Sequence, residues 1–223
     1  MEETKKQEIK KKRNRILWPQ DRISGFTDGV FSFAVTLLVL NLINLSIPIG
    51  NHSLLPLVSK DASVFISFTL TFYVIARLWM SHVRLFAIIK ESDNIIVRLN
   101  NTLLFFVTTF PFVALVLGGH INDMDAVIMY DGCFAIIGIL LYLIGKHAYK
   151  KHLFISDYLN KNFIKIFAFF SLSTPAVFVV SIFVALLSPL AAEITWISIL
   201  FLRIGFKYYY KKNPSEEIEI DEL

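Results

Sequence analysis

The chain has 223 residues, 55% of them hydrophobic, with 21 phenylalanines against only 9 glycines and a formal net charge of +4. Its mean hydropathy is +0.60. A soluble domain of this length has nowhere to place so much apolar surface, so the composition excludes an ordinary water-soluble globule and specifies an integral membrane protein. The single cysteine, Cys133, excludes an intrachain disulfide framework and a cysteine-only metal site within one chain, and reads as a small apolar residue inside a helix.

The chain opens with a basic segment, residues 1–21. Its "MEETKKQEIKKKRNR" has no apolar core beside its charges and so reads as no secretory signal. A basic run can mark a nucleic-acid or nuclear-targeting patch. Beside a membrane segment it reads instead as an orientation determinant resting near anionic headgroups, and no nucleic-acid partner is expected.

Six apolar segments follow, each close to the roughly 20 residues that span a bilayer core. They cover Phe26–Ile47, Ala62–His82, Ile95–Leu117, Ala126–Ile144, Phe163–Leu187 and Leu190–Phe206. The last two are separated only by "SPLAAE" and form a tight hairpin. No strand alternation persists long enough for a barrel, so the expected fold is an all-α membrane bundle with one six-helix domain over residues 22–212. An acidic tail, residues 213–223, carries "NPSEEIEIDEL".

Lysine and arginine set the orientation. They precede segment one from Lys5 to Arg22, and Arg84, Lys90 and Arg98 border the second connection. Lys146, Lys150, Lys151, Lys161 and Lys165 border the fourth, and Arg203, Lys207, Lys211 and Lys212 close the sixth segment. The opposite side has Lys60 alone, beside Asp61, Asp123, Asp125 and Glu193. Both termini are therefore expected in the cytoplasm, in a multi-pass protein of the plasma membrane.

Ionisable groups inside a span cost roughly 2.5–3.5 kcal/mol each on insertion scales, so each needs a partner or water. Asp28, Arg77, His82 and the Asn100–Asn101 pair are such residues. With six spans, Arg22 and Asp28 of segment one, Trp79 and His82 of segment two, and the asparagines of segment three reach one depth. Arg22, Asp28, Trp79, His82 and Asn101 are read as a buried hydrogen-bonded network that sets the rotation of the first helix. Asp28 also stands in a first turn, where a carboxylate complements the helix dipole. Arg77 has no evident partner. His120, His147 and His152 read as solvated loop residues.

At 100° per residue, Phe33, Leu37, Leu40 and Asn44 lie within about 40° of Phe26. Asp28, Ser32 and Thr36 form a second, polar stripe beside them. Hydroxyls next to apolar layers suit a helix–helix seam or a pore wall with a hydrophobic constriction, and periodicity alone favours the seam. There is no "TVGYG" filter, visible inverted repeat, nucleophile–base pair, nucleotide-binding glycine loop or metal-spaced His/Cys set. Catalysis is not expected, nor a cofactor. A proton-coupled transporter or proton-conducting protein titrating Asp28 and His82 is the alternative, and a non-conducting membrane scaffold a third reading.

The residues Arg22, Phe26, Thr27 and Asp28, followed by "GVFSFAVTLLVL", resemble the Arg-x-x-x-Phe-Ser-Asp motif of the transmembrane protein 175 family. "ARLWMSHVRLF" is similar to that family's Trp-x-x-His element at Trp79 and His82. "NNTLLFFVTTFPF" is similar to its third helix, with Asn100 or Asn101 as the motif asparagine and Pro111 further on. The resemblance covers the first three segments by motif and the last three by length and order. It implies a K⁺-selective channel assembled as a homotetramer, with monovalent cations as its permeant partners. The first helix of each subunit would line the axial pore, with Phe33, Leu37 and Leu40 as its constriction and Thr36 tied to selectivity, a permeant K⁺ passing near it. It moves the weighing from seam to pore and supports the network reading. Thr27 replaces the motif serine, keeping the hydroxyl. Phe33 stands where isoleucine or leucine is usual.

Overall fold

The computed structural model describes residues 17–43, 62–120, 122–155, 161–199, 201–202 and 204–205. Seven helices occupy them: α1 Gln20–Leu37, α2 Leu40–Ile43, α3 Ala62–Ile88, α4 Asn94–Gly119, α5 Met124–Lys150, α6 Lys161–Ala185 and α7 Pro189–Thr195. Helix is the expected outcome for these apolar runs, because a backbone surrounded by hydrocarbon must satisfy its own N–H and C=O groups. The basic segment before residue 17 and the acidic tail lie outside the described residues.

Among the described residues, four stretches are long and apolar enough to cross a membrane: Gln20–Leu42, Ala62–Ile88, Asn94–Gly119 and Met124–Lys150. Ser171–Ala185 and Pro189–Ile199 are shorter apolar helices. Among the described residues, four of the six expected spans meet that length and composition, and the last two expected segments overlap Ser171–Ala185 and Pro189–Ile199. The helices also start earlier than the apolar runs, since polar first turns such as Gln20–Asp21–Arg22 are helical.

Local chemistry explains where several helices begin and end. Asp93 caps α4 by accepting from the Ile95 and Ile96 amides, both at 3.1 Å. Asp123 caps α5 through the Asp125 amide, and Ser188 caps α7 through the Ala191 amide, with Pro189 in the first helical position. α4 stops at its Gly118–Gly119 pair, and α5 runs out at Lys151 before His152, whose φ of 52° lies in the left-handed region.

α5 is the central helix. In its most apolar window 61% of residues are buried, against 22% in α3. One aromatic cluster joins it to its neighbours: Phe110 of α4 and Phe178 of α6 lie 4.5 Å and 4.9 Å from the Phe134 ring, and Trp196 stacks on Tyr130 at 5.2 Å. α5 and α6 approach closely where Gly138 meets Pro175, since a methyl group at Gly138 would lie 2.9 Å from the proline ring.

At the basic end the connections are hydrogen-bonded to each other. The Trp18 amide donates to the Ser92 carbonyl at 2.9 Å, the Lys90 amide to Leu153 at 2.8 Å and the Ile155 amide to Ile88 at 3.0 Å. The start of α1 is thereby tied to the α3–α4 connection, and that connection to the segment after α5.

Overpacking a tight contact costs about 1–3 kcal/mol. Gly138→Leu is therefore expected to lower the thermal stability of the detergent-solubilised protein. Gly132→Leu on the same helix, where an added carbon meets nothing within 4 Å, is expected to change it far less. Equal losses in a melting assay would show that the Gly138–Pro175 approach is not the constraint.

Candidate functional site

α1 has two sharply different sides. Ile23, Thr27, Phe31, Ala34, Leu38 and Asn41 are buried against α3 and α4, following the alternating three- and four-residue step of one helical face. The opposite side is open: Phe26 is 62% exposed, Phe33 62% and Leu40 48%. Thr36 and Ser32 are exposed between them, and Leu37 is half-buried. The buried side thus includes two polar residues, Thr27 and Asn41, among apolar ones, and the open side carries large apolar residues beside hydroxyls.

A chain of hydrogen bonds holds the buried side. The Asn100 Nδ2 group of α4 donates to Thr27 Oγ1 of α1 at 2.9 Å, and Asn100 Oδ1 lies 2.8 Å from His82 Nε2 of α3. With the Asn100 amide nitrogen committed to Thr27, its oxygen is left to accept from the Nε2–H of His82. The His82 ring stacks on Phe86 with centroids 4.0 Å apart. All three polar side chains are buried, and all three are satisfied. One turn of chemistry away, Trp79 Nε1 donates to Asp28 Oδ1 at 2.7 Å in a more exposed setting.

Asn100, and not Asn101, is thus the asparagine that joins the three helices; Asn101 lies on the exposed side of α4. Arg22, expected in the same network, stands outside it. It is exposed, and its side chain makes no hydrogen bond or ion pair among the described residues, because α1 turns it away from α3 and α4. Phe26 also faces outward. Arg77 is exposed on α3.

Towards the other end of α1 the helix tightens. The Leu38, Val39, Asn41 and Leu42 amides donate three residues back, at 3.0–3.3 Å, separating α1 from α2. Asn41 Nδ2 donates to the Pro111 carbonyl of α4 at 3.0 Å, which fixes this tightened turn against its neighbour. The turn falls between Leu37 and Leu40. The Thr36 hydroxyl gives its proton to the Phe33 carbonyl at 2.9 Å, so its oxygen lone pairs remain available on the exposed side.

A second cluster at the basic end has no signal in the motif. Trp18 Nε1 donates to Asn94 Oδ1 at 2.7 Å, Ser92 Oγ to Gln20 Oε1 at 2.7 Å, and Gln20 Nε2 to the Phe86 carbonyl at 3.3 Å. Asp93 Oδ2 pairs with His147 Nε2 of α5 at 2.8 Å. His147 is therefore not a solvated loop residue: it sits on the last turn of α5 and is mostly buried. Burial alone would raise the Asp93 carboxyl, but the His147 hydrogen bond, the Ile96 amide, the His147 charge and the Ile95 amide outweigh it and hold it below the usual range. His120 and His152 are exposed. Cys133 is buried, with its thiol directed at the Phe106 carbonyl.

Residues 22–111 match the family model described as the endosomal/lysosomal potassium channel TMEM175. Over that stretch the chain is similar to the TMEM175 family. The match ends at Pro111 and so contains α1, α3, most of α4 and every residue of the Thr27–Asn100–His82 chain. The family is one of channels, not of enzymes.

A potassium channel of Chamaesiphon minutus is 31% identical over 136 residues, covering 57% of this chain and 64% of its own length. A potassium channel of Streptomyces collinus is 26% identical over 46% of this chain, and the endosomal/lysosomal proton channel TMEM175 of Danio rerio 21% identical over 61%. The chain spans less than two thirds of each: 64%, 49% and 26% of their respective lengths. Among solved structures, the Chamaesiphon minutus TMEM175 homolog shares the fold with a TM-score of 0.67 at 24% identity, covering 83% of this chain and 97% of that one. A variant of the potassium channel MtTMEM175 gives 0.62 at 20% identity, covering 90% and 98%. The chain has the all-helical fold of these multi-pass membrane channels.

Removing one member of the buried chain strands its partner. Thr27→Val keeps the shape but leaves the Asn100 amide unsatisfied, which is expected to cost about 1–3 kcal/mol. The loss is read as a lower melting temperature than for Thr102→Val, whose exposed hydroxyl only bonds back to Arg98. For Asp93, a depressed carboxyl contributes stability that is complete above the ordinary value of 3.8 and is lost as pH falls through the lower folded value. Asp93→Asn is expected to lower stability at neutral pH and to flatten the acid limb of the stability–pH curve. An unchanged acid limb would show that the Asp93–His147 pair contributes nothing there.

Proposed function

We propose that the chain is a subunit of a potassium-selective channel in which four copies surround an axis lined by α1. The observation that carries this reading is the outward face of α1, where Phe33, Thr36 and Leu40 are presented by a spanning helix whose other face is locked by polar contacts. A lipid-facing helix gains nothing from a Thr36 hydroxyl whose proton is tied back and whose lone pairs point outward. A cation that has shed part of its hydration shell gains an oxygen ligand there.

Phe33, Leu37 and Leu40 then form successive apolar layers that gate by excluding water, and Thr36 lies between the first two as the selectivity residue. The tightened turn at Leu38–Val39 falls within these layers, so a change in its hydrogen bonding alters the bore without moving the Thr27–Asn100–His82 junction. α6 and the stretch from Pro189 complete six spans, with the basic connections and both termini on the cytoplasmic side of the plasma membrane. The names of the Chamaesiphon minutus and Streptomyces collinus relatives, both potassium channels, support this reading.

Proton conduction is the second reading, favoured by the Danio rerio and Gallus gallus relatives, which are named proton channels. His82 is shut away with Asn100, so under that reading the half-buried Asp28 carboxylate carries the proton. A single recording separates the two. In planar bilayers containing the purified protein, unitary currents are expected whose reversal potential follows the K⁺ gradient. Thr36→Val is expected to bring that potential markedly closer to zero under bi-ionic K⁺/Na⁺ conditions. A potential that follows the pH gradient instead would assign the proton, and absence of flux would overturn both.

A further inference from the structure

Asp131 belongs neither to the open face of α1 nor to the Thr27–Asn100–His82 junction. It lies about 10 Å along α5 from the Met124 end, the end opposite the basic connections. It is fully buried, at 0% exposure, and neither carboxylate oxygen has a hydrogen-bond partner among the described residues. A satisfied bundle does not tolerate this arrangement unless something neutralises the charge.

The groups that face Asp131 are identifiable. Ser181 of α6 and Trp196, just beyond α7, lie beside it, but their protons are committed elsewhere. Ser181 Oγ donates to the Ala192 carbonyl at 3.0 Å, and Trp196 Nε1 donates to Ser181 Oγ at 3.1 Å. From its own helix, Tyr130 and Cys133 are near. The Tyr130 hydroxyl is engaged with Thr71 of α3 at 3.1 Å, and the Cys133 thiol faces the Phe106 carbonyl of α4. The charged group that acts on Asp131 is Glu193 of α7, and it is another acid. Glu193 Oε1 is itself buried without a partner, while the residue as a whole is half-exposed. No lysine, arginine or histidine among the described residues acts on the pair.

We propose that Asp131 is a proton-binding site inside the subunit, apart from the α1 face, with Glu193 as the acid beside it through which the proton passes. Uptake forms one O–H bond and takes the pair from two negative charges to one. The proton enters through Glu193, the member that reaches the surface, and Asp131 is the inner member. A second carboxylate nearby disfavours ionisation of a buried one and so favours its protonated form. The donor set fits a proton better than a metal ion, since no group of three His, Cys, Asp or Glu side chains converges among the described residues. The site stands whether or not α1 lines a conducting pore.

Infrared difference spectroscopy on the full chain in lipid nanodiscs tests this, using pH steps and exchange into D₂O. The expected result is a protonated-carboxyl C=O band that shifts in D₂O and is absent from Asp131→Asn. In Glu193→Gln the midpoint of that band is expected to move to lower pH by at least tenfold in proton concentration, because the neighbouring negative charge is gone. If Asp131→Asn does not fold, the Glu193→Gln shift decides the matter alone. The proposal is overturned by a wild-type spectrum without such a band, by a band that survives Asp131→Asn, or by an unmoved midpoint in Glu193→Gln. It is also overturned if K⁺, Na⁺ or Ca²⁺ at fixed pH saturably raises the melting temperature of the wild type but not of Asp131→Asn, since the ligand would then be a metal cation.

Discussion

The buried chain from Thr27 through Asn100 to His82 is the contact on which the rest of this bundle depends, because it joins three apolar helices at one point and so favours one rotation of each. Between helices that are apolar all round, burial of hydrocarbon discriminates weakly among rotations. A few hydrogen bonds that must be made or lost discriminate strongly. Each of the three side chains is fully engaged, so rotating α1 by even one residue position would leave an amide, an imidazole and a hydroxyl unpaired in the interior. Once Thr27 faces Asn100, helical geometry places Phe33, Thr36 and Leu40 on the opposite side.

α1 is held at three heights by groups from different elements. Trp18, Gln20 and Ser92 pin its start to the α3–α4 connection, the Thr27 junction pins its middle, and Asn41 pins its far end to the Pro111 carbonyl. The tightened turn at Leu38–Val39 lies between the second and third of these anchors. In the proposed channel this confines any change of bore to a short stretch of one helix, with the surrounding bundle as a fixed frame. Asp93 contributes to that frame twice, capping α4 with one oxygen and holding His147 of α5 with the other.

The bundle contains a second polar cluster of the opposite character. At the Thr27 junction donors meet acceptors across three helices, whereas Asp131 and Glu193 present buried acceptor oxygens without partners among the described residues. Asp131 follows Tyr130 of the aromatic cluster that makes α5 central and is fully buried, while Glu193 reaches the surface. A closed network suits a rigid joint. An open acidic pair suits the uptake of a small cationic ligand, of which the proton is the smallest.

Local properties of this protein are legible in its sequence alone. Runs of apolar residues locate the helices to within a turn or so, since hydrocarbon leaves a backbone few alternatives to helix. The motif around Asp28, with Trp79 and His82, indicates which three helices meet and at what depth. What the order of residues does not express is rotation and long-range pairing. A sequence so uniformly apolar carries little difference between its helical faces, and adjacent residues such as Asn100 and Asn101 differ only in direction, by about 100° around the axis. Tertiary packing decides that Asn100 enters the junction, that Arg22 stays outside it, that His147 pairs with Asp93 instead of water, and that Asp131 is buried beside Glu193. Each of those outcomes depends on which side of a helix meets which neighbour, and that is settled by the few polar groups that must find partners once the apolar surfaces have packed.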